Sequence, residues 1–124
     1  MQSETVYHRG DLVVGVFGGD FGKPRPAVIV QSDFFLETHS TIVLCPVTSD
    51  LKGADLFRVP LTAKETPGIR KDSEVMVDKL RAIERRRIGK WVGHLSARQM
   101  HAIDVALARW LGLSAESDQE AVRH

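Results

Sequence analysis

Cysteine is nearly absent: Cys45 is the only one in 124 residues. An internal disulfide framework and a cysteine-based zinc site are therefore excluded. Cys45 itself lies in the apolar run Ile42-Val43-Leu44-Cys45 and reads as a small core residue. An excess of one charge is missing too. Seventeen Lys and Arg stand against 16 Asp and Glu, a net +1. Any nucleic-acid binding must then come from a local patch, not from the field of the whole molecule. No apolar run is long enough to span a bilayer, and the polar start Met-Gln-Ser-Glu-Thr-Val-Tyr-His has no signal-peptide pattern. A cytoplasmic protein is expected. His8, His39, His94, His101 and His124 show no metal-ligand spacing, so no metal or other cofactor is expected. The loop Gly18-Gly19-Asp20-Phe21-Gly22 lacks the Gly-Lys-Ser/Thr ending of a phosphate loop and leads into a strand, so it is no nucleotide cradle.

What the chain does have is a flexible loop that becomes rigid. Residues 18–22 are glycine-rich, Lys23-Pro24-Arg25-Pro26 follows, and Ala27-Val28-Ile29-Val30 is apolar throughout. Proline fixes its own φ and pushes the residue before it into extended conformation. Lys23 and Arg25 each precede a proline, so both are held extended. Pro26 lacks an N–H, which suits the first residue of a strand or an edge. A cation is thus fixed where a loop meets a buried strand, a place where scaffolds carry functional groups. The plainer reading, a solvated arginine in a surface turn, stands beside it.

Apolar patterning predicts strands at 11–17, 26–31, 41–47, 56–61 and 74–80. In the fourth, Pro60 favours an edge. In the fifth, Val75, Val77 and Lys79 share one face and Met76, Asp78 and Leu80 the other. Residues 81–84 either continue that strand or pair back onto it, and residues 88–95 form a short unassigned segment. Phe34-Phe35-Leu36 sits in a connection, where it covers the core or meets a partner. Ser96 and Gln99 make a capping box, and Met100, Ile103, Leu107, Trp110 and Leu111 recur on one helical face before Gly112. One amphipathic helix is predicted over 97–111, packed on a sheet. Residues 1–113 then form a single domain and 114–124 a flexible polar tail. Short strands plus one helix indicate α+β character, mainly β: a small barrel or strongly coiled sheet.

Local patterns carry little chemistry on their own. Arg81, Arg85, Arg86, Arg87 and Lys90 form a basic run able to follow a phosphate backbone, or simply a solvated strand end. Trp91 and Trp110 read as core before base-stacking platforms, Thr48 as a β-former near a turn, and His94 and His101 as surface or packing residues.

The ordered set of motifs says more. Arg9-Gly10-Asp11, the run from Lys23 through Gln31-Ser32-Asp33, Cys45-Pro46-Val47-Thr48-Ser49, and Arg70-Lys71-Asp72-Ser73-Glu74-Val75-Met76-Val77-Asp78-Lys79-Leu80-Arg81-Ala82-Ile83 occur in sequence. Gly93-His94-Leu95-Ser96 and a helix ending Leu111-Gly112-Leu113 follow. Residues 9–113 thus resemble the MazF/PemK family of toxin endoribonucleases. The resemblance implies an SH3-like β-barrel with a C-terminal helix, working as a homodimer. It implies metal-independent cleavage of single-stranded RNA, usually mRNA, and inhibition by a cognate antitoxin laid across the RNA groove. The family's catalytic arginine falls on Arg25 and its catalytic threonine on Thr48. Substrate contacts are expected from Phe17, Gly18, Phe21, Lys23, Ser49, Lys79 and Arg81, with Phe17 or Phe21 stacking on a base and Lys79 and Arg81 lying along the fifth strand. Many relatives carry glutamine where Lys79 stands, so phosphate binding carries over better than base readout. Phe34-Phe35-Leu36 would belong to the dimer interface or the antitoxin groove. The barrel also admits a gyrase-binding toxin like CcdB, whose function lies in a terminal Trp-Gly-Ile. Burial of Trp110-Leu111-Gly112 in the helix would argue against that. A non-catalytic SH3-like binding module is the remaining alternative.

Overall fold

The structure, a computed structural model of the chain, describes residues 6–18 and 23–113. Phe21 and the expected tail lie outside the described residues. Among those described, seven strands make one antiparallel sheet: β1 (Asp11–Val16), β2 (Pro24–Ile29), β3 (Thr41–Thr48), β4 (Arg58–Leu61), β5 (Ser73–Met76), β6 (Arg81–Glu84) and β7 (Ile88–His94). A one-turn helix α1 (Asp33–Leu36) and the long α2 (Ala97–Leu111) complete it. The hydrogen-bonded order is β4-β5-β3-β2-β1-β7, with β6 also on β3. The chain is mainly β with one C-terminal helix, as expected.

The continuous apolar runs of the strands follow from burial on both faces. Leu12, Val28, Cys45 and Val47 point to one core, which α2 covers with Ile103 and Ala106, joined by Leu95 just ahead of the helix. Val13, Ala27, Ile29, Ile42 and Leu44, alternating with them, point to a second core closed by Phe17, Leu36, Ile83 and Ile88. Cys45 is buried in the first, and burial pushes its thiol up to about 12 against a smaller opposing pull from Arg9.

β3 organises the sheet because it is long enough to serve three neighbours. Its first half pairs with β6 (Thr41↔Glu84 to Leu44↔Arg81), its second with β5 (Val47↔Val75, Thr48↔Glu74), and its other edge with β2. Residues 81–84 therefore leave the fifth strand and pair with β3. The fifth strand itself stops at Met76, and Val77–Lys79 is a 3-10 turn closed by Leu80 N–H donating to Val77 O at 3.2 Å. This overturns the expected alternation: Val75 and Val77 are buried, Lys79 is exposed, and Asp78 turns to Arg58. Residues 88–94 are a full strand against β1, hidden from pattern reading by two register irregularities and the exposed Trp91. Pro60 lies on the edge strand β4, exposed, as its missing N–H requires.

In α2 the capping box is formed in both directions, with Gln99 N–H donating to Ser96 Oγ at 3.1 Å and Ser96 N–H to Gln99 Oε1 at 2.9 Å. Gly112 closes the helix at φ +73°. The buried face carries Ile103 and Ala106, with Met100 and Leu107 partly covered. Trp110 and Leu111 do not join it. They are 46 % and 50 % exposed, and the Trp110 ring leans on Phe57 at 5.4 Å, just ahead of β4. Their burial is therefore no argument against a gyrase-binding toxin. Trp91 is exposed as well. In α1 only Leu36 reaches the core, while Phe34 and Phe35 remain exposed with their rings edge to face.

Candidate active site

Prolines open the sheet at one place. β2 and β3 pair through Ile29↔Leu44, Val28↔Cys45 and Ala27↔Pro46, and the ladder ends there. Neither Pro26 nor Pro46 has an N–H to extend it. Beyond that pair β2 keeps only β1 as partner, with Val14↔Pro26, Gly15↔Arg25 and Val16↔Pro24. Pro26 is thus neither on an edge strand nor the first residue of β2; it lies where that strand has one neighbour. Arg25 on β2 and Thr48 on β3 each lie two residues beyond that last pair, one on each lip of the gap.

Both residues line two adjoining hollows. The first, about 340 Å³, is walled by Phe17, Gly18, Pro46, Met76, Lys79 and Arg81 besides Arg25 and Thr48. The second, about 510 Å³, adds Pro26, Val47, Ser49, Asp50, Arg70, Lys71 and Ser73 to the same pair. Among the described residues five cations therefore border the gap: Arg25, Lys79, Arg81, Arg70 and Lys71. Phosphodiesters suit such a lining better than neutral ligands do. Thr48 Oγ1 accepts a hydrogen bond from Asp50 N–H at 3.0 Å, which fixes its rotamer and leaves the hydroxyl proton to donate elsewhere.

Most of the expected site residues come together here, with differences of detail. Lys79 projects from the 3-10 turn and Arg81 from the start of β6, not from the fifth strand. Phe17 lines the first hollow but is only 2 % exposed, and the Arg81 guanidinium lies 5.4 Å from its ring centroid. Arg81 thus lies over the Phe17 ring at the edge of the hollow. Gly18 is exposed at the rim. Lys23 is exposed just ahead of β2 but lines neither hollow. Arg70, Lys71 and Met76 were not singled out from sequence as site residues. They arrive by the distant pairing of β5 with β3, which no local pattern announces.

A larger hollow, about 570 Å³, lies elsewhere, against Tyr7, Leu36, Glu37, Arg85 and Arg86. It contains neither Arg25 nor Thr48. The arginine run there is partly neutralised, with Arg86 and Arg87 reaching Glu84 at 2.9 and 3.5 Å. Size alone does not make that hollow the site.

A largely buried ion cluster joins β4, β5 and the 3-10 turn. Arg58 Nε donates to Asp78 Oδ1 at 2.8 Å, and its Nη1 lies 3.7 Å from Glu74 Oε1. Burial works against the Asp78 charge, but the hydrogen bond and charge of Arg58 outweigh it and hold the carboxyl below its usual range. Arg58 is correspondingly raised, first by its hydrogen bond to Asp78. The opening motif Arg9-Gly10-Asp11 serves structure: Arg9 donates to Val30 O and Asp104, while Asp11 accepts from His8 N–H and meets His94 Nδ1 at 2.8 Å. Among the described residues no three His, Cys, Asp or Glu side chains gather as a metal site would need.

The family described as "PemK-like, MazF-like toxin of type II toxin-antitoxin system" matches residues 8–111. The chain belongs to that toxin family. Among curated relatives, a probable endoribonuclease MazF of Mycolicibacterium smegmatis is 35 % identical over 107 residues, covering 86 % of this chain and 97 % of that one. The Mycobacterium tuberculosis toxin MazF-mt6 shares the fold with a TM-score of 0.75 at 22 % identity, over 85 % of this chain and 99 % of its own. A crystal structure of MazE-MazF from Deinococcus radiodurans gives a TM-score of 0.73 at 28 % identity, covering 90 % of this chain and 100 % of that one.

Proposed function

We propose that this endoribonuclease toxin cleaves single-stranded RNA, in the cell mRNA, at the gap between Arg25 and Thr48. The observation that carries the reading is the placement of those two residues on opposite lips of one cation-lined opening. The substrate's own 2′-oxygen attacks phosphorus, the P–O5′ bond breaks, and the products are a 2′,3′-cyclic phosphate and a 5′-hydroxyl end. Because the nucleophile belongs to the substrate, the step requires neither a metal hydroxide nor a cofactor. Negative charge builds on the phosphoryl oxygens, and the planar guanidinium of Arg25 meets two of them at once and supplies a proton to the leaving 5′-oxygen. Thr48 donates its hydroxyl proton to the phosphate and holds it in line. Arg25 enters the step protonated and so cannot take the 2′ proton; that proton leaves to another acceptor, and Arg25 regains from solvent the one it gives to the 5′-oxygen.

Lys79 and Arg81 on one side, and Ser49, Arg70 and Lys71 on the other, hold the flanking phosphates. Gly18, at the edge of the first hollow, and Lys23, exposed just ahead of β2, are further RNA contacts in this reading. The active unit is a cytoplasmic homodimer, and a cognate antitoxin covers the groove. The antitoxin complex reported for a mycobacterial endoribonuclease and the MazE-MazF structure of Deinococcus radiodurans support that partner. Among the described residues no helix is long and apolar enough to cross a membrane. The test is an RNA oligonucleotide carrying a single 2′-deoxy nucleotide at the mapped cleavage position. It should resist cleavage while the all-ribose strand is cut; cleavage of both at equal rates would rule out the 2′-oxygen as nucleophile.

A further inference from the structure

We infer that Glu74 is the positioning residue for Thr48, acting through the backbone of the loop that follows β3; this rests on the role proposed for Thr48. Glu74 stands directly across from Thr48 in the β3–β5 register and is 6 % exposed. A carboxylate at such a depth is costly unless its oxygens are used. They are used on the loop: Lys52 N–H donates to Oε1 and Oε2 at 3.1 and 3.2 Å, and Gly53 N–H to Oε2 at 2.9 Å. Arg58 lies behind, 3.7 Å away, and balances the charge.

The loop's other ties are an exposed Lys52–Asp50 ion pair at 3.3 Å and Asp55 N–H donating to Gly53 O at 3.0 Å. Ser49, Asp50, Leu51, Lys52 and Gly53 are all exposed, so no side chain anchors the turn in either core. Its geometry is set by the two amides that Glu74 receives. The same loop returns Asp50 N–H to Thr48 Oγ1 at 3.0 Å. The relay is short: carboxylate, loop backbone, then the hydroxyl that lines both hollows. Glu74 lines neither hollow and touches no substrate in this arrangement; its effect passes through the rotamer of Thr48.

The experiment is a double-mutant cycle in single-turnover RNA cleavage, with Glu74→Gln, Glu74→Ala, Thr48→Ala and the combinations. Glu74→Ala should lower the maximal rate about tenfold, the scale of a misplaced catalytic group, with KM within about twofold. Glu74→Gln, which keeps the shape and one acceptor oxygen, should recover part of that loss. With Thr48→Ala already present, either change should cost less than about twofold, the mark of action through one group. Should Glu74→Ala fail to fold, Glu74→Gln completes the cycle. Amide exchange at Asp50, Lys52 and Gly53 in Glu74→Gln supplies a readout independent of activity and should accelerate. Equal costs with and without Thr48, or unchanged exchange, would overturn the relay while leaving the site intact. Wild-type rates in Thr48→Ala would overturn both the site and the relay.

Discussion

Arg25 and Thr48 flank the gap where β2 and β3 part, each two residues beyond the last pair of that ladder, and both line the two hollows there. Arg25→Ala should lower cleavage about 10²–10³-fold, the scale of removing one donor to a developing oxyanion, with the fold retained. Arg25→Lys should fall between, because an ammonium cannot make the two-pronged interaction. Thr48→Ala should lose about tenfold through poorer alignment, and Thr48→Ser should lose little. Single-turnover rates on one RNA oligonucleotide check all four.

The flanking cations should act on binding instead. In an Arg25→Ala background, Lys79→Ala, Arg81→Ala, Arg70→Ala and Lys71→Ala should each weaken RNA binding and flatten its salt dependence. The slope of log K against log salt should fall by about 0.7 for each single-strand phosphate left without its cation. Fluorescence anisotropy across a salt series reads this directly. An Arg85→Ala change, outside both hollows, should leave the slope unaltered.

Acid should expose the Arg58–Asp78 pair. Asp78 is held below its usual carboxylate value in the folded chain, so its stabilising contribution is full above the unfolded value of about 3.9. That contribution disappears as pH falls through the lower folded value. Asp78→Asn should remove this part of the acid loss and cost about 1.5–3 kcal/mol near neutrality, a charged hydrogen bond's worth. Denaturant titrations at a series of pH values measure both effects.

Two glycines should behave differently. Gly68 sits at φ +104°, and a Cβ there would lie 2.5 Å from Val92 Cγ1 and 3.0 Å from Val92 O. Gly68→Ala should destabilise by about 1–3 kcal/mol or more. A Cβ on Gly18 meets nothing within 4 Å, so Gly18→Ala should stay within about 0.5 kcal/mol of wild type. Chemical denaturation distinguishes them.

How legible the chain was depended on how local each signal is. The α2 boundaries could be read because Ser96, Gln99 and Gly112 act within a few residues. Arg25 could be read because the prolines beside it restrict the backbone wherever it lies. The end of the fifth strand could not, because the 3-10 turn depends on Asp78 meeting Arg58, twenty residues away in the chain. Trp110 was misplaced for a related reason: helical periodicity marks an apolar face but not where the sheet beneath it runs out. Arg70 and Lys71 looked like any charged loop until β5 paired beside Thr48. The family resemblance supplied what spacing alone did not, the pairing of Arg25 with Thr48 as the residues proposed to act together.

Above all, Arg25 and Thr48 should form a ribonuclease site that needs no metal. The direct measurement is incubation of the purified protein with a long single-stranded RNA in excess EDTA, beside Arg25→Ala, with fragment ends mapped. Discrete cuts leaving 5′-hydroxyl ends with the wild type, and about 10²–10³-fold fewer with the variant, are the predicted result. A folded wild type that leaves the RNA whole in EDTA, or an Arg25→Ala protein that cuts equally fast, would contradict it.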